Sequence, residues 1–229
     1  MEPDPRPVEF RYLGLGERLV DYAESDAEQR RLHALVADGL LGPQVLFVEH
    51  RPVYTQGRTT LDAERPRDHT PVVNVDRGGK ITYHGPGQLV GYPIVFLPWK
   101  TGVVNYVRRV EEALIRLLAE FGLSAGRVPG RTGVWLPADA AGPERKIAAI
   151  GIRVAKQTTL HGFGLNINPD LSRFDNIIPC GIADAGVTSL ERELAGTAPS
   201  LVEIARRLEP HLSELLRLAP YESVENGRG

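Results

Sequence analysis

The only cysteine of this 229-residue chain, Cys180, stands between a proline and a glycine. These neighbours are typical of a turn or strand end, where a side chain can face a cleft. Because a single cysteine excludes an intrachain disulfide, Cys180 is core filler, a reactive thiol or an incidental residue. As a reactive thiol it would be a nucleophile that carries an acyl group as a thioester.

A second candidate for chemistry is the segment 77–89, which reads RGGKITYHGPGQL and has four glycines within eleven residues. This density indicates either unusual backbone dihedrals or a ligand pressed against bare backbone. Arg77, Lys80 and His84 would lie near such a ligand, whereas the alternative is a pair of tight hairpin turns. The segment matches neither the dinucleotide-binding pattern nor the P-loop pattern.

Lys146 begins a nearly apolar run that ends at Val154. It is either an edge residue whose ammonium reaches solvent or, if buried, a lysine whose desolvation favours the neutral amine that a base requires. Farther along, HGFGLNIN at 161–168 places glycines inside an expected strand, which again suggests close approach to the backbone. His161, like His50, is either a base or a hydrogen-bonded structural residue. No metal site is expected, because one cysteine and scattered histidines give no ligand spacing.

The elements that must position these residues alternate between strand and helix patterns. Two helices on a strand-rich middle, followed by a helical end, predict a mixed α/β or α+β class. Ser200 and Glu203 form a capping box that opens the last helix, which Pro210 should kink or split. No linker divides the chain, so one domain is expected over residues 1–229, with a frayed tail at 222–229. The predicted helices are Glu17–Leu40, Val107–Phe121 and the helix after Ser200, and the predicted strands are Val8–Leu13, Gln44–Glu49, Val72–Val75, Ile81–His84, Leu89–Phe96, Arg127–Val128, Gly133–Leu136, Lys146–Val154 and Thr158–Ile167.

Composition and charge narrow the class of protein. The chain is 42% hydrophobic and has no run of 18 apolar residues, so it predicts a sizeable core and no transmembrane helix. It shows no signal or transit peptide, so a cytoplasmic location is expected. Residues 77–156 hold 12 Lys and Arg against 5 Asp and Glu, a local charge of +7 in a chain of −2. That basic middle is either a surface for acidic partners or a set of scattered solvated charges, and no nucleic-acid-binding signature accompanies it.

Four of these segments together resemble the lipoyl(octanoyl) transferase family. They occur in that family's order and with its spacing, and the resemblance covers the chain from about Glu49 to Leu190. A twelve-residue block followed by three ordered anchors is much more specific than any one motif. The matching segments are RGGKITYHGPGQ at 77–88, KIA at 146–148, HG at 161–162 with LN at 165–166, and PCG at 179–181.

The resemblance implies the α/β fold of the lipoate and biotin protein ligase catalytic domains, with a mixed sheet flanked by helices. It also implies an acyltransferase that moves an octanoyl group from octanoyl-acyl carrier protein to a lysine of lipoyl domains, the first step of endogenous protein lipoylation. The acceptors implied are the lipoyl domains of 2-oxoacid dehydrogenases and the glycine cleavage H protein. No cofactor and no ATP is implied, because the donor thioester is already activated.

Carried over residue by residue, the family's active pair corresponds to Cys180 and Lys146. Lys146 could act on the thiol as a stabilising ammonium or as a neutral base, and the sequence leaves both open. Gly164 stands where a number of relatives have alanine, a small departure that bears on chain-length preference but leaves the active pair unchanged. The implied substrate pocket consists of Arg77, Gly78, Gly79, Lys80, Ile81, Thr82, Tyr83, His84, Ala149, Ile150, Gly151, Gly162, Phe163 and Gly164.

Three other functions fit parts of the pattern. An ATP-dependent lipoate–protein ligase would share the fold but would need an adenylating site and no cysteine nucleophile. A non-catalytic module that binds the carrier protein would leave Cys180 inert. A thioesterase would use water in place of the acceptor lysine.

Overall fold

The computed structural model describes residues 3–66, 68–140, 142–177, 186–196 and 198–223. The predicted nucleophile Cys180 lies outside the described residues, as does most of the predicted frayed tail. None of the helices in the described ranges combines the length and the apolar character needed to span a bilayer.

The described ranges contain eleven strands, four α-helices and two short 3₁₀ helices at Asp62–Glu64 and Leu171–Asn176. The strands are β1 (Glu9–Leu13), β2 (Gln44–Val48), β3 (Val53–Gln56), β4 (Val72–Asn74), β5 (Thr82–His84), β6 (Gln88–Ile94), β7 (Gly126–Val128), β8 (Arg131–Leu136), β9 (Arg145–Ala155), β10 (Thr158–Asn166) and β11 (Gly186–Val187), and the helices are α1 (Tyr22–Ala37), α2 (Val103–Glu120), α3 (Leu190–Glu193) and α4 (Leu201–Leu215).

The strands form a large mixed sheet and a small one. The large sheet has the order β1-β2-β6-β10-β9-β8-β7, and β11 pairs with the start of β9. Within it β1 runs parallel to β2, β11 runs parallel to β9, and the remaining pairs are antiparallel. The small sheet has the order β4-β3-β5. The predicted mixed α/β class is therefore confirmed.

Helices cover both faces of the large sheet. On one face α2 and α4 pack together over the main core, where Leu114 and Leu212 join Phe47 and Leu165 from the strands. On the other face α1 contacts β2, β6 and β10. Burial of these apolar side chains is the main stabilising contribution to the fold. Strand β6 thereby lies between two helical layers, with α4 on one face and α1 on the other.

Several predicted boundaries are corrected. The first helix begins at Tyr22 rather than at residue 17, because Glu17 and Arg18 donate their backbone N–H groups to Gly14 in a turn. The last helix continues through Pro210, so the predicted split does not occur. One half of its predicted capping box is present, since the Ser200 hydroxyl accepts from the Glu203 backbone N–H at 3.2 Å. Strand β3 was missed, because four residues between a proline and a glycine give no periodic signal.

Candidate active site

A cavity of about 560 Å³ lies where the large sheet meets the small sheet. Its walls come from the segment 77–88, called here the glycine-rich block, and from α1, β3, β5, β6, the start of α2, residues 130–132, β9 and β10. The residues that line it are Tyr22, Thr55, Thr59, Arg77, Gly78, Gly79, Lys80, Thr82, His84, Val90, Tyr92, Val103, Val107, Gly130, Arg131, Thr132, Lys146, Ala149, Ile150, Gly151, Ile152, His161, Gly162, Phe163 and Gly164.

Strand register brings small residues of β9 and β10 together in the cavity wall. Gly162 pairs with Gly151, and Gly164 pairs with Ala149. The glycine-rich block crosses directly over this wall, since the Gly78 backbone N–H donates to the Ile152 carbonyl at 2.9 Å. A Cβ on Gly151 would lie only 3.2 Å from the Gly78 carbonyl oxygen. The segment that lies close to the bare backbone of this wall, as predicted, is therefore another part of the protein's own chain.

Arg77 holds the glycine-rich block in shape. Its side chain is buried, and its guanidinium donates to the carbonyls of Thr55 at 2.7 Å, Gly78 at 3.0 Å and Lys80 at 2.8 Å. Lys80 is held in turn by an ion pair with Glu64. The two predicted cations of the block therefore shape the cavity wall as well as lining it.

Strand β5 presents alternate residues to opposite sides. Thr82 and His84 face the cavity, whereas Ile81 and Tyr83 pack into a separate apolar cluster with Tyr54 and neighbouring residues. Both Ile81 and Tyr83 belong to the implied pocket, but neither lines the cavity. The reason is the two-residue period of a strand, which sends neighbours to opposite faces. The other twelve residues of the implied pocket all line it.

The remaining histidines of the region have structural partners. His50 is fully buried, with Nδ1 3.1 Å from the Val20 carbonyl and Nε2 2.8 Å from the Tyr92 hydroxyl. Burial lowers the pKa of His50 to about 4, so the ring is neutral near pH 7. His161 lies in the cavity wall with Nε2 2.7 Å from Asp76 Oδ1. Both histidines therefore have the hydrogen-bond partners expected of structural residues.

Lys146 lines the cavity and is only 8% exposed, so it is not an edge residue that reaches solvent. It pairs across the strands with Trp135, and its Nζ lies 4.6 Å from the centre of that indole ring. The Arg131 guanidinium lies 5.8 Å from the same ring. Sequence reasoning missed Trp135, because the pairing of β8 with β9 is not visible in the spacing of its residues.

The charge of the cavity wall is one-sided. Its charged side chains are Arg77, Lys80, Arg131 and Lys146, and no Asp or Glu occurs among the described residues that line it. Such a wall favours an anion, including a thiolate or an oxyanion, over a neutral group, although Lys80 is paired with Glu64 and Arg131 with Glu144 outside the lining. Elsewhere much of the basic middle is neutralised internally, for example by the ion pair of Arg145 with Glu193 at 2.7 Å.

The chain on either side of Cys180 is held near this cavity. Ile177 is buried in the same apolar cluster as Tyr83. After the gap, Gly186 and Val187 pair with Arg145 and Lys146. The segment that carries the predicted nucleophile therefore re-enters the described structure directly beside Lys146.

Comparison with known proteins agrees with this architecture. The family model for the lipoyl protein ligase A/B catalytic domain matches residues 21–213. The octanoyltransferase of Cutibacterium acnes is 58% identical over 227 residues, which cover 95% of this chain and 84% of that protein. The octanoyltransferase of Mycobacterium sp. strain KMS is 60% identical over 190 residues, covering 82% and 77% of the two chains.

Solved structures share the fold at low sequence identity. The bipartite lipoate protein ligase of Thermoplasma acidophilum superposes with a TM-score of 0.66 at 17% identity, covering 94% of this chain and 86% of that one. A lipoate-protein ligase A bound with ATP gives 0.64 at 18% identity, covering 91% and 85%. The biotin protein ligase of Aquifex aeolicus gives 0.53 at 17% identity, covering 91% and 70%.

Proposed function

The chain belongs to the octanoyltransferases of the lipoyl protein ligase A/B catalytic family, and we propose that it transfers octanoyl groups from octanoyl-acyl carrier protein to lipoyl domains through a thioester on Cys180. The proposed acceptors are the lipoyl domains of 2-oxoacid dehydrogenases and the glycine cleavage H protein. One catalytic domain spans the whole chain in this proposal. The observation that carries it is the buried Lys146 in a cationic cavity wall, beside the point where the Cys180 segment returns.

The length of chain between Cys180 and β11 is consistent with contact between Cys180 and Lys146. Cys180 is three residues after Ile177 and six before Gly186, which pairs with the neighbour of Lys146. Six extended residues span at most about 20 Å, so the thiol is tethered to the cavity end of β9.

The first half-reaction forms the thioester. A free thiol has a pKa of ~8.5 and is mostly protonated at pH 7, so a neighbouring positive charge is needed to raise the thiolate fraction. The Cys180 thiolate attacks the carbonyl carbon of the donor thioester, a new carbon–sulfur bond forms, and the carrier thiolate leaves and takes up a proton. Cationic groups of the wall stabilise the tetrahedral oxyanion.

The second half-reaction forms the amide. The neutral amine of the acceptor lysine attacks the carbonyl carbon of the Cys180 thioester, and the carbon–sulfur bond breaks. The amine loses one proton and the departing sulfur gains one, which restores the thiol. Donor and acceptor use the same cavity in turn, so the acyl chain stays bound between the two steps.

The cavity also suits the acyl chain. Val90, Val107 and Ile152 provide apolar surface along its wall. Each buried methylene contributes roughly 0.8 kcal/mol, so binding alone separates neighbouring chain lengths only weakly. A closed end of the cavity is therefore needed to exclude longer chains.

Intact-protein mass spectrometry tests the proposal. The protein is mixed with octanoyl-acyl carrier protein without an acceptor, and Cys180→Ala is the matched control. A gain of one octanoyl group that hydroxylamine removes, and that the control lacks, is the expected result. Transfer to a lipoyl domain without any adduct would mean a direct route. Activity only with ATP and free octanoate would identify a ligase instead.

A further inference from the structure

We propose that the rim of the cavity at the start of α2 is the docking surface for the acyl carrier protein that delivers the octanoyl group. The rim consists of Trp99, Lys100, Val103 and Val104, together with Lys156 on the turn between β9 and β10. The inference deepens the proposed function and rests on it, since the carrier protein is the donor proposed above.

Three apolar side chains of the rim stand in solvent. Trp99 is 84% exposed, Val104 is 71% exposed, and Val103 is 48% exposed while it also lines the cavity. The cavity wall therefore continues into the exposed surface at Val103. A single exposed apolar residue is ordinary, but three within six positions beside a cavity are typical of an interaction surface. Tryptophan is also among the residues that contribute most to binding energy at protein interfaces.

The backbone holds Trp99 in this exposed position. The Thr101 N–H donates to the Pro98 carbonyl at 2.9 Å, which makes Trp99 and Lys100 the central residues of a turn. Just before the turn, the Leu97 N–H donates to the Gln157 carbonyl at 2.6 Å. The turn is thereby fastened to the hairpin of β9 and β10, and Lys156 lies beside its base. A surface that is already fixed loses little conformational entropy when a partner covers it.

The rim is positively charged. Lys100 and Lys156 are exposed, and neither forms an ion pair within the described part of the chain. The segments 95–108 and 152–160, which build this surface, contain no Asp or Glu. Their arginines at the surface are paired locally, Arg108 with Glu111 and Arg153 with Asp76. The two lysines therefore give the rim a positive charge that attracts an acidic protein and speeds its encounter with the cavity.

Of the two proposed protein partners, the donor fits this surface better. The donor brings a neutral acyl thioester, and its apolar chain passes Val103 to reach Val107 deeper in the same wall. The acceptor brings a lysine, whose ammonium the lysines of the rim repel. Acyl carrier proteins are commonly acidic, which complements the charge of the rim. The surface is therefore assigned to an acidic carrier protein and not to the lipoyl domain.

Kinetics with two donors test the proposal, because a small thioester brings the same octanoyl group without a protein that must dock. Transfer to a saturating lipoyl domain is measured with octanoyl-acyl carrier protein and with octanoyl-pantetheine. The variants are Trp99→Ala and the double variant Lys100→Glu with Lys156→Glu. Val72→Ala and Arg206→Glu are the matched controls, since both positions are exposed and lie on other elements, β4 and α4.

With the carrier donor, kcat/KM should fall roughly fivefold or more in Trp99→Ala and about tenfold in the double variant. With octanoyl-pantetheine, kcat/KM should stay within about twofold of wild type in both, because neither variant changes a residue that lines the cavity. The fall of the wild-type rate with added salt should be weaker in the double variant, since its rim no longer attracts an acidic partner. The two controls should match wild type with both donors.

Three results would overturn the proposal. An unchanged kcat/KM with the carrier donor in both variants would mean that the carrier docks elsewhere. Equal losses with the two donors would mean that the rim acts on the acyl chain and not on the carrier. A raised KM for the lipoyl domain, with an unchanged one for the carrier, would assign the surface to the acceptor.

Isothermal titration calorimetry separates this inference from the proposed function. Octanoyl-acyl carrier protein is titrated into wild type, Trp99→Ala and the controls without any acceptor. Weaker binding to Trp99→Ala alone supports the docking surface even if wild type transfers no octanoyl group. Equal binding to wild type and Trp99→Ala overturns the docking surface even if transfer is normal.

Discussion

Gln88 Oε1 accepts a hydrogen bond from His84 Nδ1 at 2.6 Å, and this contact sets which ring nitrogen carries the proton. The Gln88 amide nitrogen donates to Asn166 Oδ1 at 2.8 Å and to the Tyr83 carbonyl at 3.2 Å, so the amide oxygen must face the histidine. Burial, aided by nearby His50, lowers the pKa of His84 to about 3. A neutral ring with its Nε2 lone pair available therefore stands in the cavity wall.

The first prediction concerns this oriented ring. His84→Ala should lower the single-turnover transfer rate about tenfold, which corresponds to the loss of one hydrogen bond worth about 1.4 kcal/mol in the transition state. Gln88→Leu should lower it similarly, because it releases the tautomer while keeping the imidazole. His69→Ala, at an exposed position, is the control. A rate within twofold of wild type in both variants would make His84 an inert part of the wall.

The second prediction concerns the active pair. Cys180→Ala and Cys180→Ser should abolish transfer with little change in the free energy of unfolding, since the thiol is the only group removed. Lys146→Ala should reduce the rate by two or more orders of magnitude, the range found for groups that act on a nucleophile. Rates are compared with octanoyl-acyl carrier protein and a lipoyl domain both saturating. Near-normal transfer in Lys146→Ala would contradict the pair.

The third prediction contrasts two glycines of β10. A Cβ on Gly162 would lie 2.1 Å from the Gly91 carbonyl oxygen, whereas one on Gly164 would meet the Gln88 side-chain amide at 2.8 Å. Backbone cannot move aside as a side chain can, so Gly162→Ala should lower the free energy of unfolding by about 3 kcal/mol or more.

Gly164→Ala should be far milder, about 1 kcal/mol or less, and is the matched control for the same substitution. Urea unfolding measures both. Because the new methyl group presses on Gln88, Gly164→Ala should also change the relative rates with hexanoyl, octanoyl and decanoyl donors. Equal stability of the two variants would show that the Gly162 site relaxes.

The fourth prediction concerns Arg77. A lysine in its place keeps the charge but cannot donate to three separate carbonyls from a planar group. Arg77→Lys should therefore loosen the glycine-rich block and raise KM for the acyl donor about tenfold, with a smaller change in kcat. Steady-state kinetics with varied donor concentration checks this, and circular dichroism verifies the fold. An unchanged KM would mean that the positive charge at position 77, without the three hydrogen bonds, is enough to keep the glycine-rich block in shape.

The fifth prediction is acid sensitivity through His50. An unfolded histidine has a pKa of ~6.5, whereas burial lowers that of native His50 to about 4. Between these two pH values the unfolded chain binds a proton at His50 that the native protein does not. The contribution of neutral His50 to the free energy of unfolding is therefore fully present above ~pH 6.5 and is lost as the pH falls.

His50→Gln removes this titration but retains a side chain that can hydrogen-bond. Its plot of unfolding free energy against pH should be shallower than wild type between about pH 6 and 4.5, by up to ~1.4 kcal/mol per pH unit. Urea unfolding at several pH values gives the slopes. Parallel plots would show that native His50 takes up a proton as readily as the unfolded chain does.

The amino-acid sequence by itself determined the fold class and most of the cavity wall. Helix and strand periods, glycine density and the order of four short segments are local features. They can be recognised from residues that are close together in the chain, without knowledge of the folded structure. Twelve of the fourteen residues that the family resemblance implies for the pocket line the cavity. The two exceptions are Ile81, just before β5, and Tyr83 within it, and both pack into the apolar cluster away from the cavity.

Only the tertiary structure decided which side each residue faces and what stands next to it. Which residues of β5 face the cavity depends on which face of the strand packs against an apolar cluster, and the sequence of the segment does not specify this. Trp135 meets Lys146 because of one irregular pairing between β8 and β9, and Gln88 reaches Asn166 across 78 residues. Such contacts depend on register between distant segments, which is set by the packing of the whole chain rather than by any stretch of it.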